Sequence, residues 1–168
     1  SSYRHKDYLA YENRAHLHVR VGDPADKIWQ AKYDRDPDAE APAGGASASI
    51  NDLARYIRLQ LNEGRSGNAQ IVDQVALAVT HEPQMIRDPP ASPKARGHFY
   101  GLGWNVSYDD KGRVRLGHTG AFNLGAATNI TIMPGEAVGI AVLTNGEPIG
   151  VPEAIAETFF DVAQNGAP

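Results

Sequence analysis

Residues 100–144 read YGLGWNVSYDDKGRVRLGHTGAFNLGAATNITIMPGEAVGIAVLT, and this stretch decides the fold. Tyr100, Leu102, Trp104, Val106 and Tyr108 alternate with Gly101, Gly103, Asn105 and Ser107. A period of two predicts a half-buried strand. Asp109-Asp110-Lys111-Gly112 has turn chemistry, and Val114 and Leu116 then alternate with Arg113 and Arg115 as a second strand. Ala126–Met133 and Val138–Thr144 are two more apolar strands, with Pro134-Gly135-Glu136 turning between them. The connections are too short for crossover helices, so the sheet is antiparallel.

Helices flank this meander. Ser49-Ile50-Asn51-Asp52 resembles a capping box, with Asp in place of Glu. Ile50, Leu53, Ala54, Ile57 and Leu61 follow at helical spacing, and Gly64 suits a left-handed C′ position, so 50–63 is a helix. A shorter helix is expected over 73–81, capped by Asp73 and stopped by Pro83. Prolines at 83, 89, 90 and 93 make 83–97 a loop. Pro152 opens a closing helix whose face is Val151, Ile155, Phe159 and Val162. Residues 1–46 look irregular, apart from a short edge strand at Leu17-His18-Val19-Arg20-Val21. The expected class is α+β, an antiparallel sheet with flanking helices, divided into an N-terminal segment 1–46 and a domain 47–168.

Composition bounds the function. The chain has 168 residues, 42% hydrophobic and 21% charged, enough for one domain with its own core. It has no cysteine, which removes disulfides, thiolate metal sites and thiol catalysis. The net charge is −4 and the pI about 5.8, against a nucleic-acid-binding role. No apolar run approaches the length of a membrane span. The chain begins at Ser1 without a charged-then-apolar leader and reads as a piece of something longer or a processed product.

Leu116-Gly117-His118-Thr119-Gly120-Ala121 is the stretch richest in chemistry. It is either a strand end running into a turn or a site for an anion or carbonyl group. In the second reading, His118 and Thr119 supply polar contacts and Gly120 lets a ligand approach the backbone. The Ala121 N–H would face a developing oxyanion. Other features carry blander readings. His16 and His18 would share a strand face without a third metal ligand nearby. His81 sits where it would meet a helix dipole. The acidic run from Asp34 to Glu40 lacks the glycine and terminal Glu of a calcium loop. Tyr100, Trp104 and Tyr108 read as sheet core, and Gly101 and Gly103 as either clearance beside a site or close strand packing.

Four pieces, in order, carry a resemblance. These are Ala41-Pro42-Ala43-Gly44-Gly45 leading into Ser47–Ala54, then Tyr100–Trp104, then His118-Thr119-Gly120, then Gly139–Asn145. The chain resembles the C-terminal portion of the serine β-lactamase and penicillin-binding-protein superfamily, above all class C-like β-lactamases and related esterases. The resemblance implies acyl transfer: a serine attacks an amide or ester carbonyl, and water or another acceptor releases the acyl-enzyme. It implies substrate binding by His118, Thr119 and Gly120, an oxyanion donor at Ala121 N–H, no cofactor or metal, and a periplasmic or secreted setting. His118 stands where relatives carry lysine. A histidine is mostly neutral at pH 7, which tilts the reading towards ester or peptide-like substrates.

One departure is severe. The family's nucleophile lies in Ser-x-x-Lys, and no serine here has lysine three residues later. Ser92-Pro93-Lys94 has the wrong spacing, and Tyr11-Glu12-Asn13 matches the Tyr-x-Asn relay only on paper. The expected partners are therefore a small-molecule or peptide substrate and the missing N-terminal half of the same protein. The isolated chain is expected to be inert. An incomplete sheet should expose apolar strand edges, so a homodimer or strand exchange is expected. The rival reading is a non-catalytic binding module presenting the 118–132 edge to another strand.

Overall fold

Short turns fold the apolar runs of residues 85–144 back on one another, and a six-stranded sheet results. A computed structural model describes residues 1–166. The strands are β1 (His18–Val21), β2 (Ile28–Ala31), β3 (Arg65–Ser66), β4 (Ala69–Gln70), β5 (Met85–Asp88), β6 (His98–Tyr100), β7 (Asn105–Tyr108), β8 (Val114–Phe122), β9 (Ala126–Met133) and β10 (Val138–Thr144). The helices are α1 (His5–Ala10), α2 (Ala41–Gly44), α3 (Ile50–Leu61), α4 (Gln74–His81) and α5 (Val151–Asn165). The main sheet runs β10-β9-β8-β7-β6-β5, while β1 pairs with β2 and β3 with β4 in separate hairpins. The class is α+β, an antiparallel sheet with flanking helices, as the sequence led one to expect.

Contacts divide the chain into two units. One comprises Ser1–Leu53, Thr119–Asn129 and the chain from Val142 on; the other comprises Ala54–His118 and Ile130–Ala141. The second unit has a core of Ile57, Trp104, Val106, Leu116 and Ile132, flanked by Leu61, Phe99, Ile130 and Ala141. Val106, Leu116 and Ile132 are fully buried, and each such side chain contributes about 1.5–3 kcal/mol relative to exposure. Ile57 comes from α3, and its approach to the sheet requires Gly139. A Cβ there would lie 2.7 Å from Ile132 Cγ2 and 2.9 Å from Ile57 Cγ2.

Helix ends follow the local signals. The Asp52 N–H donates to Ser49 Oγ at 3.2 Å, and the Ala76 N–H donates to Asp73 Oδ1 at 2.9 Å. Past α3, Gly64 takes φ +83°, and its N–H donates to Leu59 O at 2.8 Å. These contacts satisfy helix-end donors and acceptors that would otherwise be left to water.

Several expectations need correction. Residues 100–108 are not one strand. The chain reverses at Gly101–Trp104, so that Tyr100 faces Asn105 across a β6–β7 hairpin. The Gly101 N–H donates to Trp104 O at 2.7 Å, and Gly103 has φ +89°. A Cβ on Gly101 would sit 2.6 Å from Thr80 O, so close approach to the end of α4 keeps a side chain out. Residues 83–97 are not all loop. Met85–Asp88 lies between prolines, retains its N–H donors and forms edge strand β5 against β6.

Residues 1–46 contain α1, β1, β2 and α2. The segment expected at 17–21 forms as β1, paired with β2 from His18↔Ala31 to Val21↔Ile28. The face of α5 is also displaced. Pro152, Ala156 and Phe160 are its buried residues, while Val151, Ile155 and Val162 are 42%, 45% and 43% exposed. Both sets have near-helical spacing, so periodicity alone did not choose between them. Finally, the 118–132 stretch is not an outer strand of the sheet: β9 lies between β8 and β10, and β8 between β7 and β9, with its β7 register ending at Gly117. The edges are β5 and β10.

Candidate active site

His118, Thr119, Gly120 and Ala121 are consecutive in β8, so His118 and Gly120 share one side of the strand and Thr119 and Ala121 the other. The β7–β8 register ends at Asn105↔Gly117. Beyond that pair β8 continues for residues 118–122, past the start of β7. His118, Thr119 and Ala121 are exposed and Gly120 is half-buried. The four residues named from the sequence thus occupy the stretch where β8 overruns its neighbour.

In its own unit His118 is held by Tyr100. The phenol oxygen lies 3.3 Å from His118 Nε2 and donates to it whenever that nitrogen is bare. The two rings meet edge-on, with centroids 6.3 Å apart. The contact couples the two side chains, and which of them donates follows the tautomer of His118. Trp104, the next aromatic of the same series, is instead buried core. It stacks on Tyr56 at 6.3 Å and takes the edge of His81 at 5.7 Å. His81 donates from Nε2 to Gln60 Oε1 at 2.8 Å. Burial pushes its pKa down, which favours the neutral ring in the last turn of α4.

In the other unit, Gly120 faces β9. A Cβ on Gly120 would lie 2.6 Å from Thr128 Oγ1, so the threonine hydroxyl fills the space that the glycine leaves. One residue beyond Ala121, Phe122 receives the Arg35 guanidinium 3.7 Å from its centroid. Arg35 also donates to Gly44 O at 3.1 Å and pairs with Glu40. A Cβ on Gly44 would come within 3.2 Å of the Phe122 ring. The Gly44-Gly45 turn and the end of β8, distant in sequence, are therefore packed together through Phe122 and Arg35.

Other candidates resolve structurally. Ser49 caps α3. The backbone of Ser47 makes a bridge with that of Ser2, with N–H···O contacts of 2.8 Å in both directions. Tyr11 is exposed at the end of α1, where its carbonyl accepts from Arg14 at 3.1 Å. His16 lies outside β1 and uses its carbonyl to accept from His18 Nδ1 at 2.7 Å. Among the described residues, no group of three or more acidic, histidine or cysteine side chains could hold a metal ion. No helix among them is long and apolar enough to cross a membrane.

A family profile described as Beta-lactamase matches residues 8–162. The chain belongs to the Beta-lactamase family. Its fold is similar to that of two solved structures. The octameric penicillin-binding protein homologue from Pyrococcus abyssi superposes with a TM-score of 0.71 at 20% identity, over 99% of this chain and 34% of that one. A class C beta-lactamase superposes with a TM-score of 0.58 at 15% identity, over 83% of this chain and 41% of that one. The chain thus spans between a third and a half of the length of these two neighbours. Among curated proteins, none matches in sequence.

Sequence reasoning missed Tyr100 as a neighbour of His118, Thr128 as a neighbour of Gly120, and the Phe122–Arg35 contact. Alternation marked Tyr100 only as a strand residue, and the hairpin that turns it towards His118 depends on tertiary contacts at Gly101. Thr128 and Phe122 carried no signal beyond strand propensity.

Proposed function

We propose that this Beta-lactamase family chain supplies the substrate-binding strand of a serine hydrolase that cleaves an ester or amide through an acyl-enzyme. His118 and Thr119 contact the polar groups flanking the scissile carbonyl, and the Ala121 N–H donates to the carbonyl oxygen as it becomes an oxyanion. Gly120 with Thr128 beside it keeps that stretch of backbone close to the substrate, and Tyr100 orients His118. The nucleophilic serine belongs to a segment outside these 168 residues. Its Oγ bonds to the carbonyl carbon, the leaving group departs with a proton, and water then hydrolyses the acyl-serine. The observation that supports the reading is the overrun of β8 at 118–122, which leaves His118, Thr119 and Ala121 exposed. No step calls for a cofactor.

A second reading, a binding module derived from the same fold, is favoured by one feature, the lack of Ser-x-x-Lys within the chain. Intact mass spectrometry after incubation with a reactive fluorophosphonate tests the first. The expected result is no adduct on the 168-residue chain and one adduct per molecule on a longer chain that contains Ser-x-x-Lys. An adduct on the short chain would place the nucleophile within it and overturn the assignment. A longer chain that contains the motif and stays unlabelled would favour the module.

The octameric assembly named for the structural neighbour and the seven-residue β10 edge support self-association as a further part of the proposal. A strictly monomeric sedimentation profile at high protein concentration would count against it.

A further inference from the structure

A cavity of about 440 Å3 lies within the unit that holds Thr119–Asn129, lined by His18, Trp29, Asn145, Glu147, Ile149 and neighbouring residues. That volume suits a small organic ligand. Its walls are held in place by backbone contacts. The His18 N–H donates to Asn145 O and the Glu147 N–H to His18 O, both at 2.9 Å. Trp29 lies against Gly146 so closely that a Cβ there would come within 3.2 Å of the indole. Trp29 and Ile149 are nevertheless 49% and 44% exposed, an apolar rim that other residues of the unit leave open.

The polar groups of the lining are largely spent on one another. Thr144 donates to Ala127 O at 2.8 Å, and Asn145 Nδ2 donates to His16 O at 3.0 Å. Glu147 accepts from the Arg20 side chain and, at 3.2 Å, from the Arg20 N–H. The Arg20 guanidinium in turn lies 5.9 Å from the Trp29 centroid. His18 Nδ1 is engaged by the backbone and by Asn145, 2.7 Å from His16 O and 3.2 Å from Asn145 Nδ2. The charges are paired, and a charged ligand would meet no counter-charge that is not already engaged. An uncharged aromatic group meets the exposed indole of Trp29 and the apolar side chains of Ile149, Val151 and Pro152.

Position ties the cavity to the strand described above. Thr144 on β10 is bonded to Ala127 on β9, and Gly120 on β8 faces Thr128, the next residue of β9. Two strand spacings, about 10 Å, therefore separate Gly120 from the Thr144 wall. We infer that this cavity binds an uncharged aromatic group, the non-reacting end of an ester or amide substrate. The substrate part of this inference rests on the hydrolase reading, whereas the binding part does not.

Benzyl alcohol, titrated into the 15N-labelled 168-residue chain and followed by NMR, tests it without any catalysis. Saturable shifts are expected at the Trp29 indole N–H, Gly146 and Ile149. Benzoate and benzylammonium should bind at least about tenfold more weakly, because each would bury an unpaired charge. Ile149→Lys and, separately, Val151→Lys should remove the saturable shifts while preserving the rest of the spectrum. No saturable shift in the wild type, or equal binding of the charged analogues, would overturn the inference. So would unchanged binding in a folded lysine variant. Binding of benzyl alcohol alongside an unlabelled serine in the longer chain would sink the hydrolase reading alone.

Discussion

Gly120→Ala probes the centre of the proposed site. The new Cβ would start 2.6 Å from Thr128 Oγ1, well inside ordinary contact. Thr128 is β-branched, so moving its hydroxyl means changing a stiff χ1 or shifting β9. Overpacking of this kind costs about 1–3 kcal/mol. The backbone-entropy benefit of replacing glycine by alanine offsets about 0.4–1 kcal/mol of that. The net expectation is destabilisation by about 1–2 kcal/mol. In a Thr128→Ala background the obstacle is gone, and Gly120→Ala should be neutral or slightly stabilising. Urea unfolding of the four proteins, followed by circular dichroism, gives the coupling energy directly, expected at about 1–3 kcal/mol. If the two substitutions add to within about 0.5 kcal/mol, the Gly120–Thr128 contact does not govern this position and the reasoning fails.

Tyr100→Phe removes the phenol facing His118 Nε2. The 15N shift of that nitrogen should move; an unchanged imidazole spectrum would refute an orienting role for Tyr100. His81 gives a pH dependence. Its folded pKa is pushed down by burial, so the unfolded chain binds the proton more readily. Stability should therefore be complete above about pH 6.5 and fall as the pH drops below it. His81→Gln should flatten that fall in urea midpoints, and an unaltered slope would exclude His81 as its source. Arg35→Ala removes the guanidinium over Phe122 and the donor to Gly44 O. It should destabilise by about 1–2 kcal/mol, read as a lower urea midpoint, and a change within error would mean that Phe122 alone holds the Gly44 turn.

Capping, turn chemistry and two-residue alternation act over a few neighbouring residues, and the elements that depend on them were legible in the chain itself. α3 with its Ser49 cap, α4 with its Asp73 cap, and strands Ala126–Met133 and Val138–Thr144 are of this kind. The His118-Thr119-Gly120-Ala121 stretch was singled out by the order of its residue types, and the structure leaves His118, Thr119 and Ala121 exposed. What depended on contacts between distant segments was not legible. The hairpin at Gly101–Trp104 is packed against the end of α4, where the Leu102 N–H donates to Thr80 O at 3.1 Å and the carbonyls of Thr80 and Glu82 leave no room for a side chain at 101. The buried stripe of α5 is set by what lies beneath the helix, since two stripes of similar spacing compete. Tyr100 meets His118, and Gly44 meets Phe122, only once strands and turns far apart in sequence are brought together. Local sequence thus determined the elements and the motif; tertiary structure decided their neighbours, because packing and desolvation act between residues that the chain order does not make adjacent.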